Sequence, residues 1–201
     1  LDAAGSSLKI VANHAVGVDN IDLEACRRRG VVVTSTPDAV TEGTANIAML
    51  LLLACARRLT ELDRFARSGA WASHGPLGMK ELLGLELAGR LLLIVGAGRI
   101  GYATALRARA FGMRVCYVAR SRHPEFESSP LVAERVTLDD GLRAADAVSV
   151  HTPLTSETRH LLDRRRLALL KPEAIVVNTS RGATIDEDAL AEAVEAGRVW
   201  G

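Results

Sequence analysis

The sequence predicts an α/β protein: a parallel sheet doubly wound by helices on both faces. Three observations carry that prediction. Apolar runs of strand length alternate with helical patterns along the 201 residues. One run, LLLIV at 91–95, is apolar at every position, as a strand covered on both faces should be. A glycine-rich turn, GAGRIG at 96–101, joins that run to a helix-forming stretch.

The elements follow in order. LKIVA (8–12) reads as a buried strand feeding a polar loop, NHAVGVDNID (13–22). Asp22 is placed to cap a short helix ending near Gly30. VVV (31–33) is the next strand, and Pro37 breaks the chain. A helix is expected from about Thr41 to Leu59, apolar nearly all round and therefore buried. SGAWASHGPLGMK (68–80) reads as an irregular arm. After LLLIV, a helix runs from about Ile100 to Phe111 and Gly112 ends it. RVCYVA (114–119) is the second strand of this part and ERV (134–136) a weak third, followed by a short helix capped by Asp139 or Asp140. AVSVH (147–151) and AIVVN (174–178) are the fourth and fifth, separated by a helix around 163–170 that stops before Pro172. A helix from Asp186 ends at Gly197, and RVWG reads as the start of a further strand. A module boundary is expected near Pro37, dividing residues 1–36 from residues 37–201; the arm offers a second crossing point between modules.

Composition excludes several classes. Net charge is +1, which argues against nucleic-acid or membrane binding through bulk charge. The longest apolar run, Ile47 to Ala56, is too short to cross a bilayer. The N-terminus lacks the pattern of a signal peptide and an initiator Met, so it reads as an internal start. Cys26, Cys55 and Cys116 show no metal or redox spacing, which points to reduced thiols and a cytoplasmic setting.

Gly96-Ala97-Gly98-Arg99-Ile100-Gly101 fits G-x-G-x-x-G in a strand–turn–helix setting, the mark of a Rossmann-type nucleotide-binding domain. Gly96 permits the turn, Gly98 lets a pyrophosphate approach the backbone, and Gly101 lets helix and strand pack closely. An acidic residue at the end of the next strand ordinarily holds the adenosine ribose. Here stand Ala119, Arg120, Ser121 and Arg122. Ala119 removes the repulsion toward a 2′-phosphate, Arg120 and Arg122 offer charge-assisted bonds, and Ser121 adds a hydroxyl. NADP(H) is therefore expected over NAD(H); the competing reading is a solvated basic loop.

Two further stretches carry less information alone. In NTSRGATID (178–186), Arg181 follows the fifth strand, where ligands of open sheets bind. It can clamp a carboxylate, but taken alone it reads first as an arginine capping a helix or pairing with a surface acid. In NHAVGVDNID, the amides of Val16, Gly17 and Val18 are candidates for a carboxylate nest; alternatively this is an ordinary loop in which Asp19 or Asp22 is a cap.

Together these stretches, with SGAW, FGMRV and HTPLTSETRHLLD, occur in one order along essentially the whole chain. In that order the chain resembles the D-isomer-specific 2-hydroxyacid dehydrogenases, most closely the glyoxylate and hydroxypyruvate reductase branch. The resemblance implies an NAD(P)-dependent reductase of a small 2-keto acid. It implies Arg181 as the catalytic arginine, Val16 and Gly17 as substrate-carboxylate amides, and Arg99 and Ile100 at the pyrophosphate. It places Thr152 and Pro153 on the adenosine side, Thr179 near the nicotinamide, and Thr44 at the cofactor phosphates. It also implies that residues 1–36 are a fragment of a flavodoxin-like substrate domain, and that the nucleotide domain is incomplete at its C-terminal end. The family's Glu–His proton donor has no match here, so this chain alone is expected to bind cofactor without useful turnover. His151 is the only histidine expected on the ligand edge; His14, His74, His123 and His160 read as loop or solvent residues. A homodimer through the nucleotide domain is implied, using 50–56 and Trp71. The alternatives are a non-catalytic, corepressor-like dinucleotide-binding module and a degenerate gene product without activity.

Overall fold

A computed structural model describes residues 1–201. Two parallel sheets are present. The smaller pairs β1 (Ile10–Ala12) with β2 (Val32–Thr34); contrary to expectation β1 is not buried, Ile10 being 53% exposed, because two strands alone leave a face uncovered. Between them lies α1 (Leu23–Arg28), capped by the Asp22 carboxylate, which accepts from the Ala25 amide at 2.8 Å.

The larger sheet has five parallel strands: β3 (Leu91–Val95), β4 (Arg114–Val118), β5 (Glu134–Arg135), β6 (Ala147–Val150) and β7 (Ile175–Asn178). Their order is β5-β4-β3-β6-β7. This is the order of the first five strands of a Rossmann sheet, 3-2-1-4-5, with its switch point between β3 and β6. The alternation of β3 shows why its run is wholly apolar. Leu92 and Ile94 enter one buried cluster with Ala48, Leu52 and Ala105. Leu93 and Val95 enter another with Val148, Leu162 and Ile185. Successive strand residues face opposite layers, and each such burial contributes about 1.5–3 kcal/mol.

Helices α5 (Arg99–Ala110) and α2 (Thr41–Ala56) cover one face. The other is covered by α7 (Leu138–Ala144), α8 (Arg164–Leu167) and α9 (Glu187–Glu195). The short helix α6 (Pro124–Glu127) follows β4.

Several expectations need correction. The long helix ends at Ala56, not Leu59. The Ala56 carbonyl accepts from the Leu85 amide at 2.7 Å, and a side chain at Gly84 would collide with it. Arg58 then turns left-handed, at φ 53°, and α3 (Leu59–Arg67) starts a new direction. Nor is α2 buried all round. Ala45, Ala48, Met49, Leu52 and Ala56 face the core, while Ile47, Leu50 and Leu51 are 49, 53 and 44% exposed. The arm contains a short helix, α4 (Ala70–His74). Thr137, not an aspartate, caps α7: its hydroxyl accepts from the Asp140 amide at 3.2 Å. RVWG forms no assigned strand, although Trp200 N–H and Gly201 C=O bond to the backbone beside β7.

Candidate active site

The site forms where β3, β6 and β7 end. Gly96 has φ +105°, and a Cβ there would sit 2.9 Å from the His151 carbonyl. Gly98 faces open space, with nothing within 4 Å of a built Cβ. It is the N-cap of α5, and no side chain caps that helix. The first-turn amides and the positive end of the helix dipole are thus left for an anion. A Cβ at Gly101 would overlap the Gly96 carbonyl oxygen, so this glycine sets the helix–strand contact.

A cleft of about 980 Å³ opens above this turn. It brings together ten residues singled out in the sequence: Val16, Gly17, Thr44, Gly98, Arg99, Ile100, Thr152, Pro153, Thr179 and Arg181. Gly96 and Gly101 are not in its lining: Gly96 packs against His151 and Thr152, and Gly101 against Gly96. The donor set fits a dinucleotide on structural grounds. Besides the open Gly98, Thr152 Oγ1 is buried without a hydrogen-bond partner, and a buried hydroxyl ordinarily has one. Arg99 is exposed and pairs with Asp38 at 2.9 Å.

Arg181 begins the turn after β7. Asn178 pins that turn, donating to the Arg181 carbonyl at 2.9 Å and accepting from the Ser180 amide at 2.9 Å. The guanidinium reaches the loop after β1, where Nε and Nη2 donate to Asp19 at 3.0 and 2.8 Å. This bond holds the Asp19 carboxyl below its ordinary value. A Cβ on Gly17 would overlap Arg181 Nη2, so the guanidinium lies directly on that backbone. Asn13 donates to the Gly17 carbonyl at 2.9 Å and fixes the loop. No backbone carbonyl takes the amides of Val16, Gly17 or Val18, which leaves three donors beside the guanidinium.

His151 is set between two hydroxyls, Ser149 Oγ at 2.8 Å from Nε2 and Thr179 Oγ1 at 3.4 Å from Nδ1. Burial pushes its pKa down to about 4, so the ring is neutral at pH 7. Contrary to expectation, it is not the only cleft histidine: His14 lines the cleft too, carried there by the loop after β1.

Ala119, Arg120, Ser121 and Arg122 do not line the main cleft. Ala119 and Arg122 border a separate recess of about 670 Å³ at the end of β4. The Gly96 amide donates to the Val118 carbonyl at 3.0 Å and ties the glycine turn to this strand end. Arg122 is occupied by Glu127, with Nη2 at 2.7 Å. Arg135 donates to the carbonyls of Ala119 and Arg120 at 3.0 and 2.9 Å. The sequence reading missed Asp19 as a partner of Arg181, and it missed Asn178, Glu127 and Arg135. The acids were visible only as ordinary loop and helix residues, because nothing local marks a partner far along the chain.

Residues 49–201 match the description "D-isomer specific 2-hydroxyacid dehydrogenase, NAD binding domain". The chain belongs to this family. It therefore carries the family's nicotinamide-dinucleotide domain. Among relatives, it is 49% identical to a glyoxylate reductase of Thermococcus onnurineus over 202 residues, covering 98% of this chain and 59% of the relative. A glyoxylate reductase of Pyrococcus horikoshii is 47% identical, with 96% and 58% covered. The chain thus spans about three-fifths of these relatives. Among solved structures, the TT0316 protein of Thermus thermophilus superposes with TM-score 0.89 at 48% identity, covering 100% of this chain and 61% of that one. A D-lactate dehydrogenase of Aquifex aeolicus, complexed with NAD and lactic acid, gives TM-score 0.88 at 30% identity, with 96% and 56% covered.

Proposed function

We propose that the protein to which these residues belong is an NAD(P)-dependent reductase of a small 2-keto acid of the glyoxylate or hydroxypyruvate class. One observation supports this reading above the others. The Arg181 guanidinium lies against Gly17, in the loop whose Val16 and Gly17 amides are unpaired, and in the same cleft as the open glycine turn. A carboxylate held there accepts charge-assisted bonds from the guanidinium and from the loop. The keto oxygen beside it is polarised by the same positive charge. When bound, a nicotinamide cofactor would supply the hydride for the keto carbon. Gly98 and the first turn of α5 would hold its pyrophosphate with Arg99 and Ile100 beside them, and Thr152 Oγ1 would gain the partner it lacks. Thr44 and Pro153 would wall the cofactor, and Thr179 would lie on the nicotinamide side. His151 is neutral and engaged through both ring nitrogens, so it does not protonate the product oxygen.

The cofactor reading favours NADP(H), with NAD(H) accepted. Ala119 carries no charge to repel a 2′-phosphate, and Arg120, Ser121 and Arg122 stand beside it. Residues 1–201 hold no match to the Glu–His proton donor that the resemblance implies, so turnover by this chain alone should fall below about 1 per second. The exposed row of Ile47, Leu50 and Leu51 on α2, with Trp71, supports a homodimer. Free Cys26, Cys55 and Cys116 suit a reducing, cytoplasmic compartment.

Calorimetric titration with NADPH, then with oxalate as an unreactive keto-acid mimic, tests the assignment. Saturable NADPH binding followed by oxalate binding is expected. Failure of both ligands would contradict it. Dinucleotide binding without oxalate would favour the non-catalytic module.

A further inference from the structure

We propose that Glu127 sets how strongly this chain prefers a phosphorylated adenosine ribose, by holding Arg122 in an ion pair that a 2′-phosphate must break or share. The proposal rests on the cofactor reading above and deepens it.

The two ends of this pair are anchored differently. Glu127 ends α6 and accepts from Tyr117 Oη at 2.8 Å. Tyr117 is fully buried in β4, and its oxygen accepts from the His123 amide at 2.9 Å. The carboxylate is thus tied through a phenol to the core of the sheet. Arg122 has no such tie: its side chain is 77% exposed, against 23% for Glu127. Its Nε lies 3.1 Å from both carboxylate oxygens and its Nη2 2.7 Å from Oε2. The fixed carboxylate therefore dictates where the mobile guanidinium rests.

Both groups wall the recess at the end of β4, with Ala119 and Arg135. Arg135 is turned onto the Ala119 and Arg120 carbonyls and braces the backbone of the loop. The acid missing at residue 119 is thus present on the same wall, delivered by a different element. It opposes an incoming phosphate and offsets the charge of one of the two arginines that would bind it. Preference for the phosphorylated cofactor is held below what Ala119, Arg120 and Arg122 would give without it.

The test compares the affinities of the 201-residue chain for 2′,5′-ADP and 5′-AMP by calorimetry. The wild-type ratio bears on the cofactor reading; the change of that ratio bears on Glu127. Glu127→Gln keeps an acceptor for Tyr117 and removes the charge. It should raise the ratio roughly tenfold, the value of one charge-assisted bond. In an Arg122→Gln background the same change should raise it much less. An unchanged ratio in a variant that melts like wild type overturns the proposal, and so does an equal gain in both backgrounds. Arg122→Gln alone, at an exposed side chain, reports even if Glu127→Gln misfolds. Because Glu127 already holds the guanidinium, the ratio should drop by less than about threefold. A larger drop would show that the guanidinium was available to phosphate from the start, and would overturn the proposal.

Discussion

Asp19 and Arg181, 162 positions apart, form a two-toothed ion pair across the mouth of the cleft. Asp19 takes the Nε and Nη2 edge, and Nη1 donates to the Ser180 carbonyl at 2.9 Å. A guanidinium has five donors in a fixed fork. One N–H on each terminal nitrogen therefore stays available, an edge that suits a second carboxylate. Asp19→Ala should let the arginine swing away and weaken oxalate binding roughly tenfold. Dinucleotide affinity and melting temperature should barely move, since the pair is partly exposed. Oxalate affinity equal to wild type would show that Asp19 does not position Arg181.

Gly17 separates a ligand effect from a folding effect. A methyl there would overlap Arg181 Nη2 and lie 2.7 Å from Asp19 Oδ1. Both are the ends of side chains that can move, so Gly17→Ala should cost under about 1 kcal/mol of stability. Oxalate affinity should still drop severalfold because the guanidinium is displaced. A chemical melt beside an oxalate titration checks both halves.

Gly101 behaves oppositely, because its neighbour is the rigid Gly96 carbonyl. Gly101→Ala must push α5 off the strand end, at about 1–3 kcal/mol. Urea unfolding and an NADPH titration should both shift, since the same movement misplaces the amides above Gly98.

Strands β3, β4, β6 and β7 were legible because both faces of their sheet are covered, and continuous apolar runs admit few other readings. The glycine turn was legible because each glycine answers a local steric demand. Long-range contacts were not. Ala56 ends its helix because Leu85, 29 residues on, takes its carbonyl. The partner of Arg122 was hidden, because nothing in ARSR shows that Glu127, anchored by buried Tyr117, would hold it. Asp19 looked like a cap for the same reason. The apolar face of α2 was overstated, since composition alone does not say which side of a helix meets the sheet.

His151 predicts the sign of one pH effect. Its folded pKa is depressed from 6.5 to about 4 by burial. Between those values the unfolded chain binds more protons than the folded one, so stability rises with pH across that window. The full contribution is present above 6.5 and is on the order of 3 kcal/mol. His151→Asn should flatten the slope of unfolding free energy between pH 4 and 6.5. NMR titration of the ring should place its midpoint near 4; a midpoint near 6.5 would mean that the ring is hydrated.

The most direct measurement of the central claim is oxalate binding to the NADPH-saturated chain, wild type against Arg181→Lys. A lysine keeps the charge but loses the fork that pairs with Asp19 and that, on the proposed reading, also takes a ligand carboxylate. Saturable binding to wild type, weakened at least about tenfold in the variant with NADPH affinity unchanged, is the predicted result. Equal oxalate affinity in the two proteins would contradict it.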